Sequence, residues 1–345
     1  MQIGNITISQ DSPPFVIAEV GHNHQGDIET CKKLIKAAAD AGASAVKLQK
    51  RENRDLFTPD AFNAPYLSEN SFGSTYGEHR EFLEFDEAQY RECIAYANEC
   101  GILFFATAFD FKSADFLENL NVPAFKVASG DLKTLPLIEY IASFRKPIIL
   151  STGGGTLEDI DKAVGILEES GTEYAILQCT AAYPPSFEEL NLRVIPEYIK
   201  RYPNATIGYS GHDSGISMPL VAYVLGARII EKHFTLNRAM KGTDHAFSLE
   251  PQGMKKLIRD LDRALVAQGD GIKKSYESEK EPMRKMGKSL YATRDILPGE
   301  ILKLIDIEMR SPATGLDPSH LSNLVGKKMS REIQKFKPFL DADIH

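Results

Sequence analysis

Short apolar runs alternate with longer amphipathic stretches along the first 270 residues of the chain. The apolar runs are five to eight residues long and rich in β-branched and aromatic side chains, which favours buried strands. Between them, apolar residues recur three and four positions apart, which predicts helices. Two of these helices, 30–42 and 85–101, end in Gly, and a third, 156–171, opens with a Thr cap and an acidic first turn. The predicted strands are 15–20, 45–49, 103–108, 124–129, 147–152, 174–180, 206–211 and 228–235.

Apolar strands that are each followed by a helix are typical of a parallel sheet covered by helices. Eight such units in about 270 residues have the number and length expected of a (β/α)8 barrel. The sequence therefore predicts an α/β fold, a (β/α)8 TIM barrel followed by a small C-terminal domain rich in short strands. A doubly wound open sheet is the alternative that the same pattern allows.

The character of the sequence changes near its C-terminal end. Residues 273–285 are charged and poor in large apolar side chains, which is typical of a linker. Residues 286–345 contain the turn signals LPGE and SPATG between short apolar runs. We therefore expect a barrel domain at 1–272, a linker at 273–285 and a small domain at 286–345. Within the barrel, residues 51–84 form a long connection, and such connections are usually functional.

The amino-acid composition limits the partners and the cellular location that we expect for the protein. The chain has 40 Lys and Arg residues against 48 Asp and Glu, a net charge of −8, which does not favour nucleic acid or anionic lipid as a partner. No apolar run approaches the ~18 residues of a membrane span, and the N-terminus lacks a signal core, so we expect a cytoplasmic protein without a membrane partner. The cysteines form no CxxC pair, which favours reduced thiols, at positions Cys31, Cys93, Cys100 and Cys179.

Polar side chains stand at the end of every predicted strand, where the active site of a TIM barrel lies. One group combines cations and hydroxyls and suits a phosphate-bearing substrate such as phosphoenolpyruvate. The second group combines imidazoles and carboxylates and suits a catalytic divalent metal ion. The first group is Lys47, Lys126, Ser129, Ser151 and Ser210; the second is His212, His233 and Glu19, with Asp244 near.

Several motifs at these positions occur in the order found in one family. They are IAEVGHNHQGD (17–27), KLQK (47–50), FKVASGD (125–131), QCTAAYP (178–184), IGYSGHDSG (207–215), EKHFTL (231–236) and KGTDHAFSLEP (241–251). With them the chain resembles the sialic acid synthase family over essentially its whole length, and its tail resembles the antifreeze-like (SAF) domain of those enzymes. TYGEH (75–79) and KGTDHAFSLEP are more similar to the animal-type members, which make a 9-phosphate.

The resemblance implies an enzyme and a reaction. That enzyme is a transferase that condenses phosphoenolpyruvate with N-acetylmannosamine or its 6-phosphate, with water, to N-acetylneuraminate or its 9-phosphate plus phosphate. It also implies a divalent cofactor, Mn2+ or Mg2+, and a domain-swapped homodimer in which Arg310 reaches the partner's acceptor sugar.

The resemblance also implies roles for individual residues. Glu19, Asp131, His212 and His233 are expected to be catalytic, and His212 and His233 to ligate the metal. The substrate-binding residues are expected to be Lys47, Lys126, Ser129, Ser151, Tyr183 and Ser210 for phosphoenolpyruvate, with Gln49 and Asp244 for the acceptor.

Three other functions remain open from the sequence. One is the synthesis of another nonulosonic acid, such as legionaminic, pseudaminic or deaminated neuraminic acid, by the same chemistry on a different acceptor. Another is an aldolase or lyase that uses Lys126 as a Schiff-base lysine. The most distant is a non-catalytic carbohydrate-binding protein that acts through the tail domain.

Overall fold

The structure of the protein is a computed structural model that describes residues 1–343. The chain divides into two compact units between Gly269 and Asp270. The first unit is a closed barrel of eight parallel strands, in the order β10-β3-β4-β5-β6-β7-β8-β9. These strands are β3 (Phe15–Gly21), β4 (Ala45–Lys50), β5 (Leu103–Ala108), β6 (Phe125–Val127), β7 (Ile148–Ser151), β8 (Tyr174–Cys179), β9 (Thr206–Gly211) and β10 (Ile229–His233), preceded by a hairpin of β1 (Gln2–Ile3) and β2 (Ile6–Thr7).

Closure of the barrel confirms the predicted TIM barrel and excludes the open sheet. Strand β10 pairs with β9 on one side and with β3 on the other, so the sheet has no free edge. The register places His233 opposite Glu19 and Glu231 opposite Ser210. Pairing therefore aligns residues from distant parts of the sequence at one end of the barrel.

A helix follows every barrel strand, as the sequence pattern predicts. The predicted cap at Thr156 is present, since its hydroxyl accepts from the backbone N–H of Asp159 and the Asp159 carboxylate accepts from Thr156. These helices are α1 (Ile28–Ala41), α5 (Glu87–Glu99), α6 (Phe111–Asn119), α7 (Leu135–Ser143), α8 (Leu157–Ser170), α9 (Val194–Arg201), α10 (Ser217–Val224) and α11 (Pro251–Gln268).

The long connection between β4 and α5 contains three further short helices. They are α2 (Asn53–Leu56), α3 (Pro59–Asn63) and α4 (Tyr76–Leu83). Helix α4 begins with a capping box, in which the hydroxyl of Thr75 accepts from the backbone N–H of Glu78 and the Glu78 carboxylate accepts from Thr75. The TYGEH motif therefore starts a helix and orders a loop that leaves the C-terminal end of a barrel strand.

The second unit has a small core of its own. Two antiparallel strands, β11 (Ser289–Ala292) and β12 (Ile307–Arg310), accompany two short helices, α12 (Lys280–Met286) and α13 (Leu321–Leu324). Helix α12 begins inside the predicted linker and ends at Met286, the first residue of the predicted small domain. The core residues are Leu290, Ala292, Ile296, Leu302, Ile307, Leu316, Leu324, Met329, Ile333 and Phe339.

We find no helix among residues 1–343 that combines the length and the apolar character needed to cross a bilayer.

A buried ion pair joins the two strands that carry the candidate metal ligands. Lys232 of β10 lies 3.2 Å from the carboxylate of Asp213, which directly follows His212, and both side chains are 1% exposed. The Tyr209 hydroxyl donates to the same carboxylate at 2.7 Å. Because successive strand residues point to opposite faces, Lys232 lies behind the sheet while its neighbour His233 faces the barrel mouth. The pair therefore links the backbones that position both histidines.

Replacing Lys232 by Met should destabilise the protein, because it leaves the Asp213 carboxylate buried without a counter-charge. We expect the free energy of unfolding to fall by about 3–5 kcal/mol, measured by chemical denaturation followed by circular dichroism. The double variant Lys232→Met with Asp213→Asn should lose less, because no charge remains unpaired.

The matched control is Lys162→Met, which removes a half-exposed lysine paired with Glu158 on α8. This change should alter the free energy of unfolding by less than about 1 kcal/mol. Equal stability losses in the Lys232 and Lys162 variants would contradict the role given to the buried pair.

Candidate active site

One cavity opens at the C-terminal ends of the barrel strands, with a volume of about 50 Å³. Ten of the thirteen residues that the sequence predicts for the site line it. Two more side chains, Cys179 and Glu231, complete the lining. The ten predicted residues are Glu19, Lys47, Gln49, Lys126, Ser129, Ser151, Tyr183, Ser210, His212 and His233.

Lys47 lies at the centre of a buried charge network. Its ammonium nitrogen is 2.9 Å from Glu19 Oε2 and 3.4 Å from Glu231 Oε1, and it donates to the Thr107 hydroxyl at 2.9 Å. Ser210 donates to the same Glu231 oxygen at 3.3 Å. These groups come from five strands, so the network connects β3, β4, β5, β9 and β10 around the mouth.

Burial and the neighbouring charges give the two glutamates different protonation behaviour. Burial raises the pKa of Glu19 above its ordinary value, and the attraction of Lys47 opposes this only in part. Burial also acts on Glu231, but Lys47 and Lys126 together hold the pKa of that carboxyl below its ordinary value. Glu231 is therefore the permanent counter-charge of the lysines, and Glu19 is the better candidate to take up and release a proton.

Lys126 forms the second cationic position of the cavity. Its ammonium donates to the Ser151 hydroxyl at 2.6 Å and to the carbonyl of Val127 at 2.9 Å. The neighbouring Ser129 hydroxyl accepts from the backbone N–H of Gly153 at 3.0 Å. Burial lowers the pKa of Lys126, opposed in part by Glu231. An anion in the cavity would compensate the burial of this ammonium, and hydroxyls stand beside it to bond phosphate or carboxylate oxygens.

The two predicted metal ligands face each other across the cavity, with ring centroids 5.4 Å apart. Nδ1 of His212 lies 3.0 Å from the carbonyl oxygen of Thr180, which makes Nδ1 the protonated nitrogen and leaves Nε2 with a free lone pair. Burial lowers the pKa of His212 to about 4 and also lowers that of His233. Both rings are therefore neutral at pH 7, which is the form that binds metal.

Further side chains at this position fit a divalent ion. Nδ1 of His233 and Oε2 of Glu231 are buried and make no hydrogen bond to any described residue. Asp244 Oδ2 lies 3.8 Å from His233 Nδ1, as expected of a carboxylate that orients a metal-binding ring. No group of three or more His, Cys, Asp or Glu residues within 1–343 is arranged to enclose a metal. The arrangement thus fits an open site with two histidine ligands, in which substrate or water would supply the others.

Aromatic side chains form one wall beside the histidines. The Tyr183 ring lies 4.1 Å from the His212 ring and 5.7 Å from that of Phe247. Opposite this wall, Gln49 donates to Glu19 Oε1 at 2.8 Å and fixes the orientation of its carboxylate. The surface that lines the cavity is nevertheless polar, which suits a substrate rich in oxygen atoms.

Three predicted residues do not line the cavity. Asp131 lies in the turn after β6 and accepts from the Thr134 hydroxyl at 3.1 Å. Asp244 is one side chain removed from the cavity, behind His233. Arg310 is on β12 of the second unit, where it is half exposed, pairs with Glu308 and lies over the Phe336 ring. Their proposed roles remain predictions.

The sequence offered a usable signal for one of the lining residues that we did not predict for the site. Glu231 stands two positions before His233 on β10, so the alternation of a strand places both on the same face. Cys179 lies at the end of β8 and carried no such signal, because a single buried cysteine is common in any core.

Comparison with known proteins assigns both units to families. A NeuB family model matches residues 34–273, and a SAF domain model matches residues 287–344. Human N-acetylneuraminate-9-phosphate synthase is 41% identical over 319 residues, which cover 92% of this chain and 89% of the human protein.

Other relatives carry different names. The N,N'-diacetyllegionaminic acid synthase of Campylobacter jejuni is 39% identical, covering 91% of this chain and 95% of that protein. Among solved structures, the sialic acid synthetase of Leptospira borgpetersenii in complex with citrate is 32% identical, with a TM-score of 0.72, covering 82% of this chain and 94% of that one. The chain therefore belongs to the NeuB family of sialic acid synthase-like enzymes, and its C-terminal part is a SAF domain.

Proposed function

We propose that the protein condenses phosphoenolpyruvate with the open-chain aldehyde of an N-acylmannosamine-type sugar. Water is consumed, inorganic phosphate is released, and the product is a sialic acid or its 9-phosphate. The observation that carries the proposal is the combination of two buried lysines, a protonatable glutamate and two neutral histidines around one cavity. Membership of the NeuB family supports the same reaction class.

Phosphoenolpyruvate would bind to the cationic side of the cavity. Lys47 and Lys126 would neutralise its phosphate and carboxylate, and the Ser129, Ser151 and Ser210 hydroxyls would donate to their oxygens. Such contacts strengthen as phosphate leaves, because negative charge then collects on the departing oxygens. Binding also holds C3 of phosphoenolpyruvate toward the acceptor, and alignment of two reactants accounts for up to ~7–11 kcal/mol of the barrier.

The bond changes follow from the two substrates. C3 of phosphoenolpyruvate attacks the aldehyde carbon, and positive charge develops at C2. The Glu19 carboxylate lies where it could stabilise that charge and take a proton from the water that adds at C2. The tetrahedral adduct then loses phosphate by cleavage of the C2–O bond, which leaves the keto acid.

Two further side chains would act on the acceptor. Gln49 holds the Glu19 carboxylate and would also contact sugar hydroxyls. Asp244, beside His233, would contact the sugar as well. Tyr183 would belong to the phosphoenolpyruvate site. A divalent ion, Mn2+ or Mg2+, held by His212 and His233 would supply Lewis-acid polarisation of the aldehyde oxygen.

Two alternatives use the same cavity. The relatedness to a legionaminic acid synthase supports the same condensation on a different N-acylated acceptor. A lyase with Lys126 as Schiff-base nucleophile is supported by the lowered pKa of that amine. For Arg310 we retain the proposal that it reaches the acceptor sugar of a partner subunit in a homodimer.

Phosphate release from phosphoenolpyruvate should require both sugar and metal. We expect release with Mn2+ and N-acetylmannosamine or its 6-phosphate, and none after EDTA treatment, because the aldehyde is then not polarised. A colorimetric phosphate assay measures this. Release that persists in EDTA would contradict the metal assignment, and borohydride trapping of pyruvate on the protein would favour the lyase.

Replacing Glu19 by Gln should lower kcat by at least about 100-fold, because the proton acceptor is lost while Lys47 keeps Glu231 as its counter-charge. KM for phosphoenolpyruvate should change much less. The matched control is Glu197→Gln, which removes a surface carboxylate paired with Lys200 on α9 and should leave kcat unchanged. Full kcat in a folded Glu19→Gln protein, checked by circular dichroism, would rule out the catalytic role.

A further inference from the structure

A second cluster of positive charge lies beside the catalytic cavity and outside its lining. We call it the rim cluster and define it as Arg51 and Arg80, on either side of His22, together with Lys241, whose ammonium lies over the Phe72 ring. Arg51 directly follows β4, Arg80 belongs to α4, and Lys241 lies in the segment after β10. The cluster is a property of the folded chain, because its members are 29 and more residues apart in sequence.

His22 lies between the two guanidinium groups. Nη1 of Arg51 is 3.3 Å from Nε2 of His22, and Nη1 of Arg80 is 3.4 Å from Nδ1 of the same ring. Burial, and then repulsion from Arg51 and Arg80, hold the pKa of His22 well below its ordinary value, so the ring is neutral. A neutral imidazole has one acceptor nitrogen. One of the two guanidinium groups therefore faces an N–H and lacks an acceptor at that position.

Protein carboxylates do not compensate these cations directly. Among residues 1–343, neither guanidinium group has a carboxylate oxygen within 4.0 Å, the limit for an ion pair. Two carboxylates lie near the cluster without reaching a guanidinium group. Glu84 Oε2 is 3.1 Å from the Lys50 ammonium and accepts from the Arg51 backbone N–H at 3.3 Å, and its Oε1 is 3.7 Å from His22 Nε2. Asp244 lies 3.8 Å from His233. Burial and the proximity of Arg80 lower the pKa of Arg51 to about 10, as expected of a cation that lacks a close counter-ion.

Both guanidinium groups are nevertheless fixed in position. Arg51 stacks 3.6 Å from the centroid of Phe109 and is buried. Arg80 donates from Nε and Nη2 to the Tyr76 hydroxyl at 3.0 and 2.8 Å, which leaves Nη1 directed at His22. Lys241 is exposed, and its ammonium lies over the Phe72 ring. Rigid donors without an acceptor, with an exposed cation nearby, are typical of a phosphate site.

The rim cluster is connected to the catalytic cavity through one residue. Arg51 donates from Nη2 to Gln49 Oε1 at 2.8 Å, and Gln49 donates to Glu19 at 2.8 Å. A sugar whose aldehyde end lies in the cavity would therefore extend its other end toward Arg51 and Arg80.

We propose that the rim cluster binds a phosphate group on the far end of the acceptor sugar, so that the enzyme prefers a 6-phosphorylated N-acylmannosamine and makes a 9-phosphate. This inference rests on the proposed function and names its acceptor. Phosphate supplies the acceptors that Arg51 and Arg80 lack, and it places two negative charges among three cations. The phosphoenolpyruvate lysines are separate from this site, because Lys47 and Lys126 lie inside the cavity.

The test compares kcat/KM for N-acetylmannosamine and its 6-phosphate at saturating phosphoenolpyruvate and Mn2+. We expect the unmodified enzyme to prefer the 6-phosphate, and Arg80→Gln to reduce the ratio of the two values at least tenfold, mainly through KM of the phosphorylated sugar. Arg80→Lys should restore part of the ratio.

The matched control is Arg54→Gln, in the same connection, which removes an arginine that is 70% exposed and stacks on Phe62. This control should leave the ratio unchanged.

Three results would overturn the inference: a preference for the unphosphorylated sugar, an unchanged ratio in Arg80→Gln, or a rise in KM for phosphoenolpyruvate instead. Calorimetric titration with N-acetylmannosamine 6-phosphate, without phosphoenolpyruvate, separates the two proposals. Binding that is lost in Arg80→Gln supports the phosphate site even if no phosphate release is observed, in which case the proposed function alone would fail.

Discussion

The ammonium of Lys47 between the carboxylates of Glu19 and Glu231 is the interaction on which the site depends. Removing two negative charges from water at the barrel mouth is unfavourable unless a cation lies between them. Such a network contributes little to stability compared with an apolar core of the same shape. Its presence across strands β3, β4 and β10 therefore indicates a functional constraint. The network also connects the strands at which the barrel closes.

Within this network, the lysine and glutamate side chains have different roles in the cavity. Lys126 requires an anion for full compensation, whereas Glu19 retains a carboxyl whose proton is easily exchanged. Behind the sheet, Lys232 and Asp213 form a second ion pair, which has no access to solvent. The Lys47–Glu19 pair can therefore respond to a substrate, whereas the Lys232–Asp213 pair only positions the strands next to the histidines.

Much of the fold was predictable because strand and helix patterns act locally. The eight apolar runs match the eight barrel strands within two residues at each end. Strand β6 ends at Val127, two residues before its predicted end, because the chain there enters a tight turn. The alternation of side chains on parallel strands also explains why residues such as Lys126 and Ser210 meet in one cavity. Arg51 and Arg80 could not be placed in this way, because their positions depend on the path of the 51–84 connection rather than on a repeating pattern.

Helix α4 is held by a capping box and by loop contacts rather than by strand pairing. The residues proposed to meet the phosphoenolpyruvate end of the reaction lie on the barrel, whereas Arg80 and Tyr76 lie on this appended helix. Changes in this insertion can therefore alter how the far end of the acceptor is bound without disturbing the charges that the condensation chemistry requires.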